Sequence, residues 1–260
     1  MPTRVPEPLR AVGRRVFRSR SVKNIRDWFL PTVREIRTYR SHLAGKRGME
    51  IGGPSGFFTD DGPLPVYRVL AGLDNCTFSP QTIWEGGIKA GRSFEYQPKK
   101  EPGFQFICEA ADLKPIQNSA YDCVLASHCL EHVANPMRAL GEWKRVLKQD
   151  GVLVLVLPHK EGTFDWRRPT TPLAHMIEDH KNGVGEDDLT HLPEILALHD
   201  LEKDKPAGSP EQFRQRCMEN VSKRAMHHHV FDTYAALQLV DYAGFGVVRV
   251  DTAYSDEGGQ

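Results

Sequence analysis

Two sets of side chains in this 260-residue chain have the types and spacing to do chemistry. The first surrounds Gly48-Met-Glu-Ile-Gly-Gly-Pro-Ser-Gly-Phe-Phe58, where Glu50 ends an apolar stretch and Gly52, Gly53 and Gly56 follow it closely. Glycine is used where backbone must take positive φ or come close to a ligand. A carboxylate beside such a turn, with the backbone of Gly52, Gly53, Pro54, Ser55 and Gly56, suits a ligand that carries both signs of charge. A dinucleotide loop would need Gly-x-Gly-x-x-Gly, and counting from Gly52 puts Pro54 and Phe57 where its later glycines belong. The second set is histidine. Eleven are present, and His128, His132, His159, His227, His228 and His229 fall near the expected ends of apolar runs. Imidazole titrates near neutrality and can take a proton from a hydroxyl or an amine. His128, His159, His132 and His228 are therefore the candidate acid/base groups, with Asp165 as an orienting partner. His42, His175, His180, His191 and His199 are assigned to structural or solvated roles. A metal completed by Asp165 or Asp179 is the rival reading. No compact ligand motif accompanies the histidines, so no metal residues are assigned.

The elements that must position these groups alternate in period. Met49–Ile51 reads as a first strand and the residues leading into Asp74 as a second that ends in a carboxylate, with Glu85 its competitor. Phe104–Cys108 is a third, followed by Glu109, Ala111 and Asp112. Tyr121–Ala126 is a fourth, with Ser127 and His128 at its end. Asn135-Pro136 then starts a helix whose apolar face is Met137, Leu140, Trp143, Val146 and Leu147, and Val152–Leu157 is a fifth strand. Strands alternating with amphipathic helices at this interval form βαβ units, hence an α/β fold with a parallel sheet and right-handed crossovers. Ligands of such sheets bind beyond the carboxyl ends of the strands, where the candidate residues fall. Residues 1–45 read as a basic tail and leading helices, broken at Pro31. Residues 46–160 and 227–255 form the core. Residues 161–226 read as a helical insertion after the fifth strand, a lid or acceptor site. A last helix from Asp232 or Thr233 closes at Gly244 and leads into a strand over Val247–Val250.

The glycine turn resembles motif I of the class I S-adenosylmethionine-dependent methyltransferases, acid-x-Gly-x-Gly-x-Gly, with Pro54 in place of the middle glycine. The run from Tyr121 to Pro158 resembles the type 11 group of that family: a Tyr-Asp-x-Val strand, the Leu130-Glu-His132 turn, an Arg-Val-Leu-Lys helix end, Asp150-Gly151 and an apolar strand, in that order. The stretches around Pro158–Thr163, Glu186–His191 and His227–Thr233 are similar to a subfamily found beside glycosyltransferases in polysaccharide gene clusters. The resemblance implies a Rossmann-like sheet, mostly parallel with its last strand antiparallel and helices on both faces. It implies S-adenosyl-L-methionine as cofactor, and methyl transfer to an oxygen or nitrogen of a small molecule, sugar or glycan. It further implies that Glu50 faces the amino end of the cofactor, that the Gly52–Gly56 backbone meets its methionyl part, and that Asp74 or Glu85 takes the ribose. Asp112, with neighbouring backbone such as that of Ala111, would meet the adenine, and Ser127 would border the same site. Pro54 removes one N–H from the loop.

Composition bounds the remaining readings. Formal net charge is zero, yet residues 1–47 hold 13 Lys/Arg against 3 Asp/Glu. A basic arm can approach nucleic acid or an anionic membrane surface. No aromatic or Gly-rich RNA motif accompanies it, and Ser127-His128-Cys129 stands where a base-methylating enzyme would carry Asn/Asp-Pro-Pro-Tyr/Phe, so nucleic acid is disfavoured as a partner. Peripheral membrane contact through the basic segment, and a cofactor-fold scaffold without activity, stay as alternatives. Five cysteines without a Cys-x-x-Cys pair point to a reducing compartment, and the longest apolar run is too short to cross a bilayer; cytoplasmic is the expected location. Oligomeric state is not expressed in the sequence.

Overall fold

The computed structural model describes residues 36–252; the basic tail and the first part of the leading helical segment lie outside the described residues. Helix α1 (Ile36–Leu43) buries Ile36 and Leu43 and leads into β1 (Arg47–Ile51). Strands β2 (Gly72–Thr77), β3 (Gly91–Phe94), β4 (Gly103–Ile107), β5 (Tyr121–Ser127) and β6 (Leu147–Val156) follow. They form one six-stranded sheet in the order β3-β4-β2-β1-β5-β6. Every pairing is parallel except β3 with β4. The central strands are near-continuous apolar runs because both faces of the sheet are covered, as parallel sheets require. On one face Met49, Ile51, Val124 and Ala126 pack with Leu140, Trp143 and Leu239; on the other Leu73, Cys123 and Leu125 pack with Phe58, Val66 and Tyr67.

Helix α2 (Pro136–Val146) starts where its sequence signals it. The Asn135 side chain accepts from Arg138 N at 3.0 Å, and Pro136 occupies the first turn, where no intrahelical N–H is needed. Its fully buried Trp143 donates from Nε1 to the Ala110 carbonyl at 2.9 Å, so a large apolar body is placed without leaving a polar atom unpaired.

The insertion contains α3 (Leu173–Asn182), α4 (Leu192–Leu198), α5 (Pro210–Met218) and the single turn α6 (Asn220–Lys223). It has a small core of its own around Ile195, Ala207, Phe213, Cys217 and Met226. The chain returns along residues 227–231, where Lys160 N donates to Phe231 O and His228 N to Glu131 O, each at 2.8 Å. Helix α7 (Thr233–Tyr242) then begins with Asp232 as its cap, accepting from Ala235 N at 2.7 Å.

One expectation about the sheet is corrected. Its antiparallel member is β3, at the edge beyond β4, and not Val247–Val250. The latter residues form no strand, and Val248 is 72% exposed: among the described residues β6 is the edge, and no strand beyond it gives those valines a buried face.

Candidate functional site

The strand order reverses direction between β1 and β5, and a cleft of about 470 Å³ opens there at the carboxyl ends of β1, β2 and β5. Its floor is the glycine turn, its walls include Thr77, Phe78, Trp84, Ile88, Glu85, Glu109 and Ala110, and its far side holds Ser127, His128, His132, Glu186 and Arg224. That volume lies within the range of small-molecule sites, and the walls combine apolar surface with a few convergent polar groups.

The turn is held by its own backbone. Gly52 has φ +77°, a region closed to most side chains, and a Cβ on Gly53 would collide with the Glu50 carboxyl. Gly52 N donates to Cys76 O at 2.8 Å, Gly53 N to Asn75 Oδ1 at 3.0 Å, and Ser55 N to the Tyr67 hydroxyl at 2.8 Å and Glu50 Oε1 at 3.1 Å. The expectation that this backbone supplies N–H groups to a ligand is therefore corrected for residues 52–55: these donors face the core, Pro54 has none, and the turn meets the cleft as a close-fitting surface. Gly56 begins a 3-10 turn capped by the Ser55 side chain and lies off the cleft. Glu50 is also corrected. Its carboxyl is wholly buried beneath the turn, takes the Tyr67 hydroxyl at 2.7 and 2.8 Å, and does not line the cleft. Burial pushes its pKa up to about 8, against the lowering effect of Tyr67 and Ser55 N.

Two further carboxylates do not stand where the resemblance puts them. Asp74 lies mid-strand, three residues before the tip of β2, and is 5% exposed. It accepts from Arg47 at 2.8 Å, Phe104 N at 2.8 Å and the Tyr121 hydroxyl at 2.7 Å, which ties three strands together and leaves it off the cleft. Asp112 and Ala111 face a separate open depression against α2, where Asp112 pairs with Lys114 at 2.7 Å. The acids that reach the cleft are Glu85, Glu109 just past β4, and Glu186 of the insertion. Glu85 stood as the competitor of Asp74 and Glu109 as a neighbour of Asp112, because strand ends cannot be placed to within two or three residues from pattern alone.

Among the histidines, His128 and His132 line the cleft. His128 sits at φ +51°, an uncommon value that the fold must impose, with Nδ1 3.0 Å from Ser127 Oγ. Burial, then the neighbouring His227, holds its pKa below the ordinary value, so it is neutral and able to accept a proton near pH 7. His132 Nδ1 lies 3.0 Å from the Met226 carbonyl, and burial keeps its pKa well down. Asp165 orients neither of these, nor His159. It is 2% exposed, bonds His227 Nδ1 at 2.5 Å and Arg168 at 3.0 Å, and its carboxyl is held at about 2: burial raises it, and the His227 and Arg168 contacts more than reverse that. His159 pairs with Phe231 as an isolated parallel bridge, and His228 contacts Asn220 Nδ2 at 3.0 Å; neither lines the cleft.

Arg224 and Glu186 were not anticipated. Arg224, in the left-handed region at φ 52°, reaches from the insertion to Glu109 at 2.5 Å and Glu186 at 2.8 Å and stacks on Phe78. It ties the insertion to the end of β4. Its neighbours in sequence give no sign of this, since the contact joins residues over a hundred positions apart.

Comparisons with known proteins match part of this region. Residues 81–155 match the family model of a methyltransferase domain, type 11. That match spans 75 of the chain's 260 residues. Among solved structures, similar chains include an S-adenosylmethionine-dependent methyltransferase of Thermotoga maritima described as a possible histamine N-methyltransferase (20% identity, 88% of this chain and 79% of that one, TM-score 0.44). A methyltransferase candidate of Bacillus halodurans is 15% identical over 82% of this chain and 68% of that one, with TM-score 0.43. An arsenic(III) S-adenosylmethionine methyltransferase of Chlamydomonas reinhardtii is 21% identical over 42% of this chain and 38% of that one, with TM-score 0.31. No curated protein matches the chain. Among the described residues, no helix is long and apolar enough to cross a membrane.

Proposed function

We propose that the chain is a class I, S-adenosyl-L-methionine-dependent methyltransferase of the type 11 group, acting on an oxygen or nitrogen nucleophile of a small molecule, sugar or glycan in the cleft at the ends of β1, β2 and β5. The observation that carries the reading is His128, a neutral imidazole held at the end of β5 and facing a cleft whose far side is closed by Glu186 and Arg224 of the insertion. When bound, the cofactor supplies an electrophilic methyl group on a sulfonium. The residues of the cleft suit it in charge and shape. Glu85 and Glu109 are placed to accept from hydroxyl and amino groups, Trp84, Phe78 and Ile88 offer apolar faces, and Arg224 is the one cation among the lining residues. His128 would take the proton of the acceptor, and His132, fixed by the Met226 carbonyl, would orient it beside Trp84, whose ring centroid is 5.5 Å away. Holding the acceptor in line with the methyl group is the main source of rate in such a transfer. Residues 161–226 serve in this reading as the lid that selects the acceptor, and the similarity of the insertion motifs to the polysaccharide-cluster subfamily favours the glycan arm.

The test is incubation with isotopically labelled S-adenosyl-L-methionine and a panel of sugar nucleotides, glycans and small amines, read by methyl mass gain. We expect transfer to at least one hydroxyl or amine, abolished by His128→Ala with cofactor binding intact. Tight cofactor binding with transfer unaffected by that substitution would remove His128 from the mechanism. No cofactor binding at millimolar concentration would sink the whole reading.

A further inference from the structure

We propose that His175, Asp179, His191 and His229 form a binding site for a first-row divalent cation, zinc by the chemistry of the donors, that pins the insertion to the core. The four come from three separate stretches. His175 and Asp179 lie one turn apart on one face of α3, His191 precedes the first residue of α4, and His229 belongs to the returning segment before α7. One donor atom from each lies within 4.8 Å of the other three. His175 Nε2 is 3.1 Å from His191 Nε2 and 3.3 Å from Asp179 Oδ2, and His229 Nε2 is 3.0 Å from the same oxygen. A tetrahedral zinc, with bonds of about 2.0–2.2 Å to nitrogen and oxygen, sets its ligand atoms about 3.3–3.5 Å apart. Three of the six edges between the donor atoms are thus close to that spacing, and the other three lie within 4.8 Å.

Proton accounting points the same way. Three imidazole nitrogens converge, and Asp179 is the only carboxylate of the cluster. At most one proton can lie between His175 and His191, and His175 and His229 compete for the same Asp179 oxygen. A cation would engage all four donors at once. Three nitrogens and one oxygen select zinc over magnesium or calcium, which want oxygen ligands, and a full set of four protein donors is the pattern of a structural site. None of the four lines the cleft. The site would instead fix the segment carrying His227, two residues from His229, which stands behind His132 with ring centroids 4.6 Å apart. Metal binding as such does not depend on the acceptor reading above.

The experiment is titration of the metal-free full chain, affinity tag removed, with cobalt(II), followed by visible absorption. We expect uptake of about one equivalent with the intense bands of a tetrahedral ion, and their loss in Asp179→Asn and His191→Ala. His191→Cys should restore uptake and add a thiolate charge-transfer band, which a misfolded variant would not show. Glu131→Gln serves as the control for a second trio, Glu131, His132 and His227, whose donor atoms also lie within 4.8 Å. No stoichiometric uptake, a weak six-coordinate spectrum, or bands that vanish in Glu131→Gln but persist in Asp179→Asn would overturn the assignment.

Discussion

His128 and His132 face the cleft with one nitrogen each already engaged, at 3.0 Å from Ser127 Oγ and 3.0 Å from Met226 O. His175, His191 and His229 turn their Nε2 atoms on one another and on Asp179, away from any part of that cleft. The residue type is the same; what differs is the atom each ring meets and whether its other side opens on space or on a further donor. The run His227-His228-His229 shows this within three residues. His227 goes to Asp165, His228 to Asn220 and His229 to Asp179, so neighbours in sequence serve three different surroundings. A ring with a fixed tautomer and an open side is equipped to move a proton. Rings that converge are equipped to hold a cation or to lock elements together.

The sharpest way to break that contrast is His128→Ala. Loss of a positioned general base should lower kcat by roughly 100- to 10,000-fold while leaving cofactor affinity, read by calorimetry, within about twofold. If instead the loss appears entirely in cofactor affinity, the cleft histidine is a binding group and the distinction drawn here is wrong.

Behind both histidine sets lies Arg168, 1% exposed, which donates to Asp165 at 3.0 Å, Glu194 at 2.8 Å and the His227 carbonyl at 2.9 Å. Arg168→Met keeps much of the volume but leaves Asp165 as a buried charge with one partner fewer. We expect about 3–5 kcal/mol of lost stability in urea unfolding, the usual cost of breaking a buried pair. A change below about 1 kcal/mol would mean that solvent reaches Asp165 and that the segment behind the cleft is not held as described.

The contrast extends to the carboxylates. Asp74, which the family pattern makes a ribose ligand, is consumed by Arg47, Phe104 N and Tyr121, whereas Glu85 lines the cleft. Glu85→Gln should weaken cofactor binding by roughly ten- to a hundredfold, the worth of a hydrogen bond to a charged group, with little change in unfolding. Asp74→Asn should do the reverse, lowering stability by about 1–3 kcal/mol with affinity unchanged. The opposite pattern would restore Asp74 to the site.

The sheet was legible because its signals are local: unbroken apolar runs, the Asn135-Pro136 helix start and the Asp232 cap each act within a few residues. So was the position of the cleft, which follows from crossover topology. What the sequence concealed depends on register and on distant contacts. Asp74 and Asp112 each sit two or three residues from the positions that reach the cleft, a shift that periodicity cannot resolve. Arg224 acts only because an insertion folds back onto β4, and His175 and His191 acquire partners only when α3, α4 and residue 229 meet. Val247–Val250 has a strand's composition, yet among the described residues it joins no strand. Local pattern says what a segment can become; which side of the sheet it serves is settled by its partners.

Glu50 gives the smallest expected effect in acid and the clearest pH signature. Its pKa is pushed up to about 8 by burial, against an ordinary value of 4.5, so the folded state favours the protonated carboxyl. The sign follows from linkage: a raised folded-state value contributes stability that is fully present below pH 4.5 and is lost as pH rises through 8. Gln is close in shape to the protonated acid and can still accept from Tyr67 and Ser55 N. Glu50→Gln should therefore cost under about 1 kcal/mol below pH 4.5 and remove the decline above it, so that the variant has overtaken the parent by neutral pH. Urea midpoints measured across that range decide the matter. Parallel profiles for the two proteins would show that Glu50 is ionised throughout, and that the carboxyl under the turn presents a negative charge to the cleft after all, as the family pattern has it.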